Sequence, residues 1–124
     1  MVKIISLVVG GALGTTLRYF FSGAIYKITG PDFPYGTLAV NIAGCFIIGF
    51  LVSITETKFI LGPNSKVLLM VGFCGAFTTF STFILETANL MKDGQISRAF
   101  LNLFISLVLG FVFLRAGMIM GEVL

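Results

Sequence analysis

The sequence holds no histidine, only two cysteines, and charged side chains at only 10% of its positions. Each shortage narrows the field. Without histidine, a zinc site of mixed sulfur and imidazole ligands cannot form, and no recognisable nucleophile motif is present, so an enzyme is the least favoured class. Cys45 and Cys74 both lie inside long apolar stretches, which suits small packing residues better than a disulfide. Eight Lys/Arg and five Asp/Glu set against 57% hydrophobic composition leave too little polar surface to cover a soluble globule of 124 residues. The basic residues are scattered, with no basic run, so the net charge of +3 points to lipid headgroups and not to nucleic acid. No linker, low-complexity tract or convincing internal repeat divides the chain. Residues 1–124 read as a single all-α transmembrane domain.

A helix needs about 20 residues to cross a hydrocarbon core of about 30 Å. Four segments qualify: Ile4–Ile25, which contains Arg18; Tyr35–Ile54, which contains Asn41; Val67–Leu85; and Phe100–Leu114, with Arg115 near its end. The connections "YKITGPDFP", "TETKFILGPNSK" and "KDGQIS" carry Gly-Pro or Asp-Gly turn chemistry. Lys3 before an apolar run imitates a signal peptide, but no small-residue cleavage site follows and "TTLRYFF" continues the apolar character. Alternating the spans puts Lys3, Lys58, Lys66 and Arg115 on one side of the membrane and Lys27, Lys92 and Arg98 on the other. The positive-inside rule needs an imbalance that is nearly absent here. Either one dominant flank sets the topology, or the chain inserts both ways and assembles as antiparallel dimers.

Fifteen glycines in such a chain imply close helix contacts, and Gly10/Gly14 and Gly117/Gly121 have the small-xxx-small spacing of helix interfaces. Arg18 and Asn41 are polar groups inside spans, while Asn102, Ser106 and Gly110 share one face of the fourth; each is explained by helix-helix hydrogen bonding or, for Arg18, by snorkelling. The third span, with "GFCGAFTTFSTF", asks for more. On a regular helix Phe73, Phe77, Phe80 and Phe83 form an aromatic stripe beside a polar one of Thr79, Thr82 and Glu86. Gly72 and Gly75 weaken that helix and the hydroxyls of Thr78, Thr79, Ser81 and Thr82 compete for its backbone, so a break near midspan is expected. Freed carbonyls there suit a cation, and the positive edges of phenyl rings suit an anion that must enter and leave.

Together "GGALGTTLRY", "YGTLAVNIAGCFIIG" and "GFCGAFTTFSTF" make the chain, over nearly its whole length, closely resemble the Fluc (CrcB) fluoride channels of bacteria. The resemblance implies a four-helix subunit of the bacterial cytoplasmic (inner) membrane, third helix broken, pairing antiparallel with a second copy in a dual-topology homodimer with two fluoride pathways. It implies passive export of fluoride that entered the cell as the neutral acid. By motif position it assigns the ring edges to Phe80 and Phe83, a hydrogen-bond donor to Asn41, and a vestibule charge to Arg18. A polar track falls to Ser81, Thr82 and Glu86, with Ser106 on the fourth helix. It also implies a structural sodium ion at the dimer interface, held by backbone carbonyls of Gly75 and Thr78. Ala76 and Gly110 depart from residues found in relatives, a glycine and a serine respectively.

Two rival classes remain open at this level. A proton-coupled multidrug exporter shares the size and helix count but needs a carboxylate inside a span, and Glu86 sits at a span end. A structural or assembly subunit would need nothing beyond the packing glycines.

Overall fold

The computed structural model describes residues 1–58 and 61–124, all helix and short connections, with no strand among them. Helices α1 (Val2–Thr29) and α2 (Tyr35–Lys58) are followed by a composite third span, Pro63–Lys92, and by α6 (Ile96–Val123). The third span comprises α3 (Pro63–Lys66), a π-helical stretch (Val67–Cys74), α4 (Gly75–Phe77) and α5 (Phe80–Lys92). Among the described residues, four helical spans are therefore long and apolar enough to cross a membrane. Each runs beyond its apolar window, because the backbone gains nothing by leaving its helical hydrogen bonds at the membrane surface. "TETK" thus continues α2, and Arg115 lies inside α6, about two turns before its end, and not near a helix terminus. Phe59 and Ile60, in the expected second connection, lie outside the described residues.

The turn chemistry works as its residues dictate. Gly30, at φ 83°, closes α1 by donating its N–H to Tyr26 O at 2.8 Å, and Pro31 follows where the helix cannot continue. Gly62 is extended and Pro63 takes the first helical turn of α3, where a missing N–H is harmless. Gly94, at φ 79°, reverses the chain between α5 and α6.

Buried positions mix apolar and polar side chains, while large aromatics face outward. Phe80, Phe104 and Phe111 are 74%, 69% and 69% exposed, whereas Asn102, Ser53, Thr87 and Thr37 are buried. In lipid that is the expected sorting, since tails are as apolar as leucine and association rests on close packing and hydrogen bonds. The glycines supply the packing. A Cβ on Gly10 would collide with the Leu68 carbonyl and one on Gly14 with the Phe73 carbonyl, which docks α1 against the first half of the third span. Likewise Gly49 accepts the Leu114 carbonyl and Gly117 the Phe46 carbonyl, closing α2 on α6. Gly72 faces Gly10, with 3.1 Å from its would-be Cβ to the Gly10 Cα. It therefore serves a helix contact and does not make the break.

Gly117→Val should cost at least ~1–3 kcal/mol, because the obstacle is backbone that cannot rotate away. Gly11→Ala should be silent, since nothing lies within 4 Å of its would-be Cβ. Heating detergent-solubilised protein and following the folded fraction by size exclusion checks both.

Candidate functional site

The third span breaks at Thr78 and Thr79, whose backbones are extended (φ/ψ −88°/158° and −149°/121°). This is midspan, as expected, but the cause differs. Gly75 is helical and open, with nothing within 4 Å of a would-be Cβ, so the hydroxyl-rich pair and not the glycines carries the break. The aromatic stripe is consequently split. Phe73 and Phe77 stack before the break, with centroids 5.6 Å apart and planes 9° from parallel; Phe80 and Phe83 tilt against each other after it, 6.0 Å apart at 58°. Phe83 is buried while Phe80 faces outward.

Neighbouring helices take up the backbone groups that the break releases. Asn41 on α2 uses both ends of its amide: Nδ2 donates to Thr79 O at 3.0 Å, and Oδ1 accepts from Thr79 N–H at 2.8 Å. Arg18 on α1 donates from Nε to Ala76 O at 3.0 Å. Thr79 Oγ1 caps α5 by accepting Thr82 N–H at 3.3 Å, and Thr78 folds its hydroxyl back onto Cys74 O at 2.8 Å. Thr78 Cγ2 occupies the space beside Gly44 that any other residue there would fill.

Two carbonyls follow a different course. In an unbroken helix Gly75 O would accept from Thr79 N–H and Thr78 O from Thr82 N–H, but those amides are directed to Asn41 and to the Thr79 hydroxyl. Both carbonyl oxygens are thus released from helical pairing, and Gly75 is exposed. An oxygen set of this kind, neutral and backbone-borne, fits a weakly held alkali cation better than a divalent or soft metal.

Asn41, Gly44, Gly75, Thr78, Thr79 and Phe80 share a groove of about 300 Å³ with Cys45 and Cys74, open on the surface of the chain. Asn41 keeps one N–H of its amide nitrogen beyond the bond to Thr79. Arg18 is half-buried, with one face of its guanidinium committed to the break. Ser81 is exposed and Thr82 half-buried on the first turn of α5.

Glu86, one turn further, is gripped by α1 and α2: Tyr26 OH donates to Oε2 at 2.8 Å and Thr37 Oγ1 donates to Oε1. Ser106 belongs to a separate chain of bonds. Its hydroxyl reaches Asn102 Oδ1 at 3.5 Å, Asn102 Nδ2 donates to Thr87 Oγ1 at 2.8 Å, and Thr87 donates to Phe83 O at 2.8 Å. That chain ties α6 to α5. The polar residues expected along one track therefore form three clusters: one at the break, one at Glu86, and one between α5 and α6. Sequence reasoning missed Tyr26, Thr37 and Thr87, since a hydroxyl at the edge of an apolar run carries no signal of its partner.

Asn41→Leu removes both amide bonds and leaves the Thr79 N–H and C=O in an apolar setting, a loss of about 1–3 kcal/mol per group. The expected result is faster exchange of the Thr79 amide, read by hydrogen-deuterium exchange, together with a lower thermal midpoint.

Comparison with known proteins bears on what such a site serves. The family described as "CrcB-like protein, Camphor Resistance (CrcB)" matches residues 5–118. A protein of Geotalea uraniireducens is 40% identical over the whole of both chains, and one of Desulforapulum autotrophicum is 40% identical over 98% of each. A third, from Solidesulfovibrio magneticus, is 41% identical over 95% of this chain and 94% of its own. All three bear the name "Fluoride-specific ion channel FluC". With matches of this extent and four membrane-length helices, the chain is a multi-pass membrane protein belonging to the CrcB family.

Proposed function

We propose that this chain is a fluoride channel, conducting the ion passively out of the bacterial cytoplasm through the inner membrane. The observation that carries the reading is the site at the break: Asn41, Thr79 and the ring of Phe80 lie around one groove, in a chain whose near-full-length relatives are named for fluoride. Asn41 offers its remaining N–H, Phe80 and Phe83 offer ring edges, and Ser81 and Thr82 offer hydroxyls on the first turn of α5. Glu86 and Ser106 line the route further along, each from its own cluster, and Arg18, held at the break, raises the anion concentration in the vestibule that reaches it. Fluoride is smaller and more strongly hydrated than chloride, so selection requires several modest donors in a narrow passage to replace water together.

The working unit in this proposal is an antiparallel dual-topology homodimer with two pathways. Its support is the outward face of Phe80, the open groove and the exposed Gly75, all on one surface that four short helices cannot close. The released carbonyls of Gly75 and Thr78 would hold a structural sodium ion at that interface. Bound there, sodium supplies positive charge that steadies the broken backbone. The Thr78 side chain is already turned onto Cys74 O, so its removal spares the ligand. Membrane lipid covers the remaining apolar surface.

Liposomes loaded with fluoride and carrying the purified protein should empty rapidly to a fluoride electrode, with no matching chloride loss. Phe80→Ile and Phe83→Ile keep bulk and remove the ring quadrupole, and each should slow efflux about tenfold or more, equivalent to ~1.4 kcal/mol of lost stabilisation. Undiminished flux through both folded variants would sink the assignment of the ring edges; retention of fluoride by the unaltered protein would sink the channel itself.

A further inference from the structure

Glu86 sits between two unlike surroundings. On one side its carboxylate accepts from Tyr26 OH and from Thr37 Oγ1, one hydroxyl for each oxygen. On the other lies a polar cleft of about 200 Å³ lined by Asp32 and Asp93 as well as Glu86, where like charges repel its outward swing. Thr37, and the Tyr26 hydroxyl that α1 brings against it, stand at the first turn of α2 (Tyr35–Lys58), whose positive pole favours a negative charge. The Thr37 N–H of that turn donates to the Tyr26 oxygen at 3.4 Å, so Tyr26 relays the helix terminus to the carboxylate. The ring itself is fixed: Gly36 leaves room for it, and a Cβ there would come within 2.7 Å of Tyr26 Cδ2.

From this geometry we infer that Tyr26 is a positioning residue for conduction, acting through Glu86. The inference rests on the fluoride reading above. Thr37 alone bonds one carboxylate oxygen and leaves the group free to pivot about that contact. The second bond, from Tyr26 to the other oxygen, fixes the plane of the carboxylate and pins its charge against α1 and α2. Held there, the charge stays off the route of an anion moving along α5. Released, it swings toward Thr82, one turn away, and the break beyond it, and repels the ion that must pass. Tyr26 has no contact with fluoride in this scheme. Its phenolic proton stays on its own oxygen, and the hydroxyl serves as a fixed donor.

The experiment uses the full chain in liposomes with ¹³C-labelled glutamate. The infrared difference between the protein and its Glu86→Gln variant isolates the Glu86 carboxylate stretch from those of Glu56 and Glu122. Tyr26→Phe keeps the ring beside Gly36 and removes only the hydroxyl. It should displace that band and slow fluoride efflux about ten- to a hundredfold, the scale of one hydrogen bond to a charged group. In a Glu86→Ala background the same change should leave the efflux of that variant unaltered. A band that stays in place overturns the inference, as does a displaced band with efflux at the unaltered rate. An equal fractional loss with and without Glu86 also overturns it, by making the hydroxyl a structural support. Because the infrared band is read without fluoride movement, failure of the channel reading and failure of the Tyr26 contact are separately visible.

Discussion

A chain that leaves its helix inside hydrocarbon must find a partner for the N–H and C=O groups it frees, since no water is there to take them. The break at Thr78–Thr79 sets that requirement, and much of the architecture follows from it. Asn41 must stand opposite Thr79 and Arg18 opposite Ala76, so α2 and α1 must both lie close against the third span. Close approach in turn requires helices without side chains at the contact, which is what Gly10, Gly14 and Gly44 provide. The glycines and the break are thus one device. Each unpaired group would cost several kcal/mol in this setting, more than any single apolar contact in the molecule contributes.

The same physics explains why the interior admits polar groups beside Val40, Phe77 and Ala99. With lipid outside as apolar as any core, burying a leucine between helices gains little beyond tight packing. A hydroxyl or amide between helices gains about 0.6–1.7 kcal/mol and fixes register as well. Hence Asn102 and Thr87 are buried at the α5–α6 contact while Phe104 and Phe111 point outward. Register matters most for the third span, because its two halves are joined by extended backbone and could otherwise rotate independently. Three anchors prevent this: α1 packs on the first half, Asn41 grips the junction, and Asn102 with Glu86 ties the second half to its neighbours.

Apolar run length made the four spans legible, and Gly-Pro and Asp-Gly pairs marked the three connections. The competition between hydroxyls and backbone made the break legible too, although glycine weakness pointed to the wrong residues. Gly72 looks the same in sequence whether it loosens a helix or admits a neighbour, and only the opposite surface, Gly10, decides. The helical stripe of four phenylalanines was misleading for a related reason. Periodicity assumes continuous winding, and two extended residues reset its phase, leaving Phe80 outward and Phe83 buried. Partners lie beyond the reach of pattern altogether. Asn41 and Arg18 were visible as polar groups in apolar runs, but their attachment to Thr79 and Ala76 depends on how three helices meet. Tyr26 and Thr37 gave no signal, because each is ordinary at a helix end until Glu86 is placed between them.

The break also arranges partial charge from the backbone itself. Residues 63–77 end there with the negative pole of a helix, and α5 begins there with a positive one. Each pole carries roughly half an elementary charge, so the two lie back to back with opposite preferences. The negative pole meets Arg18 at Ala76 O and, in the proposed reading, sodium at Gly75 and Thr78. The positive pole faces the side where Phe80, Ser81 and Asn41 would meet fluoride. A bare guanidinium at that point would hold an anion strongly and slow its departure. Here the guanidinium is turned onto a carbonyl at the negative pole, which offsets part of its field. In the proposed reading, what remains for fluoride is a helix terminus, an amide N–H, hydroxyls and ring edges, each modest by itself. Strength enough to replace water, divided among groups none of which can retain the ion alone, is the condition under which selectivity and rapid passage coexist.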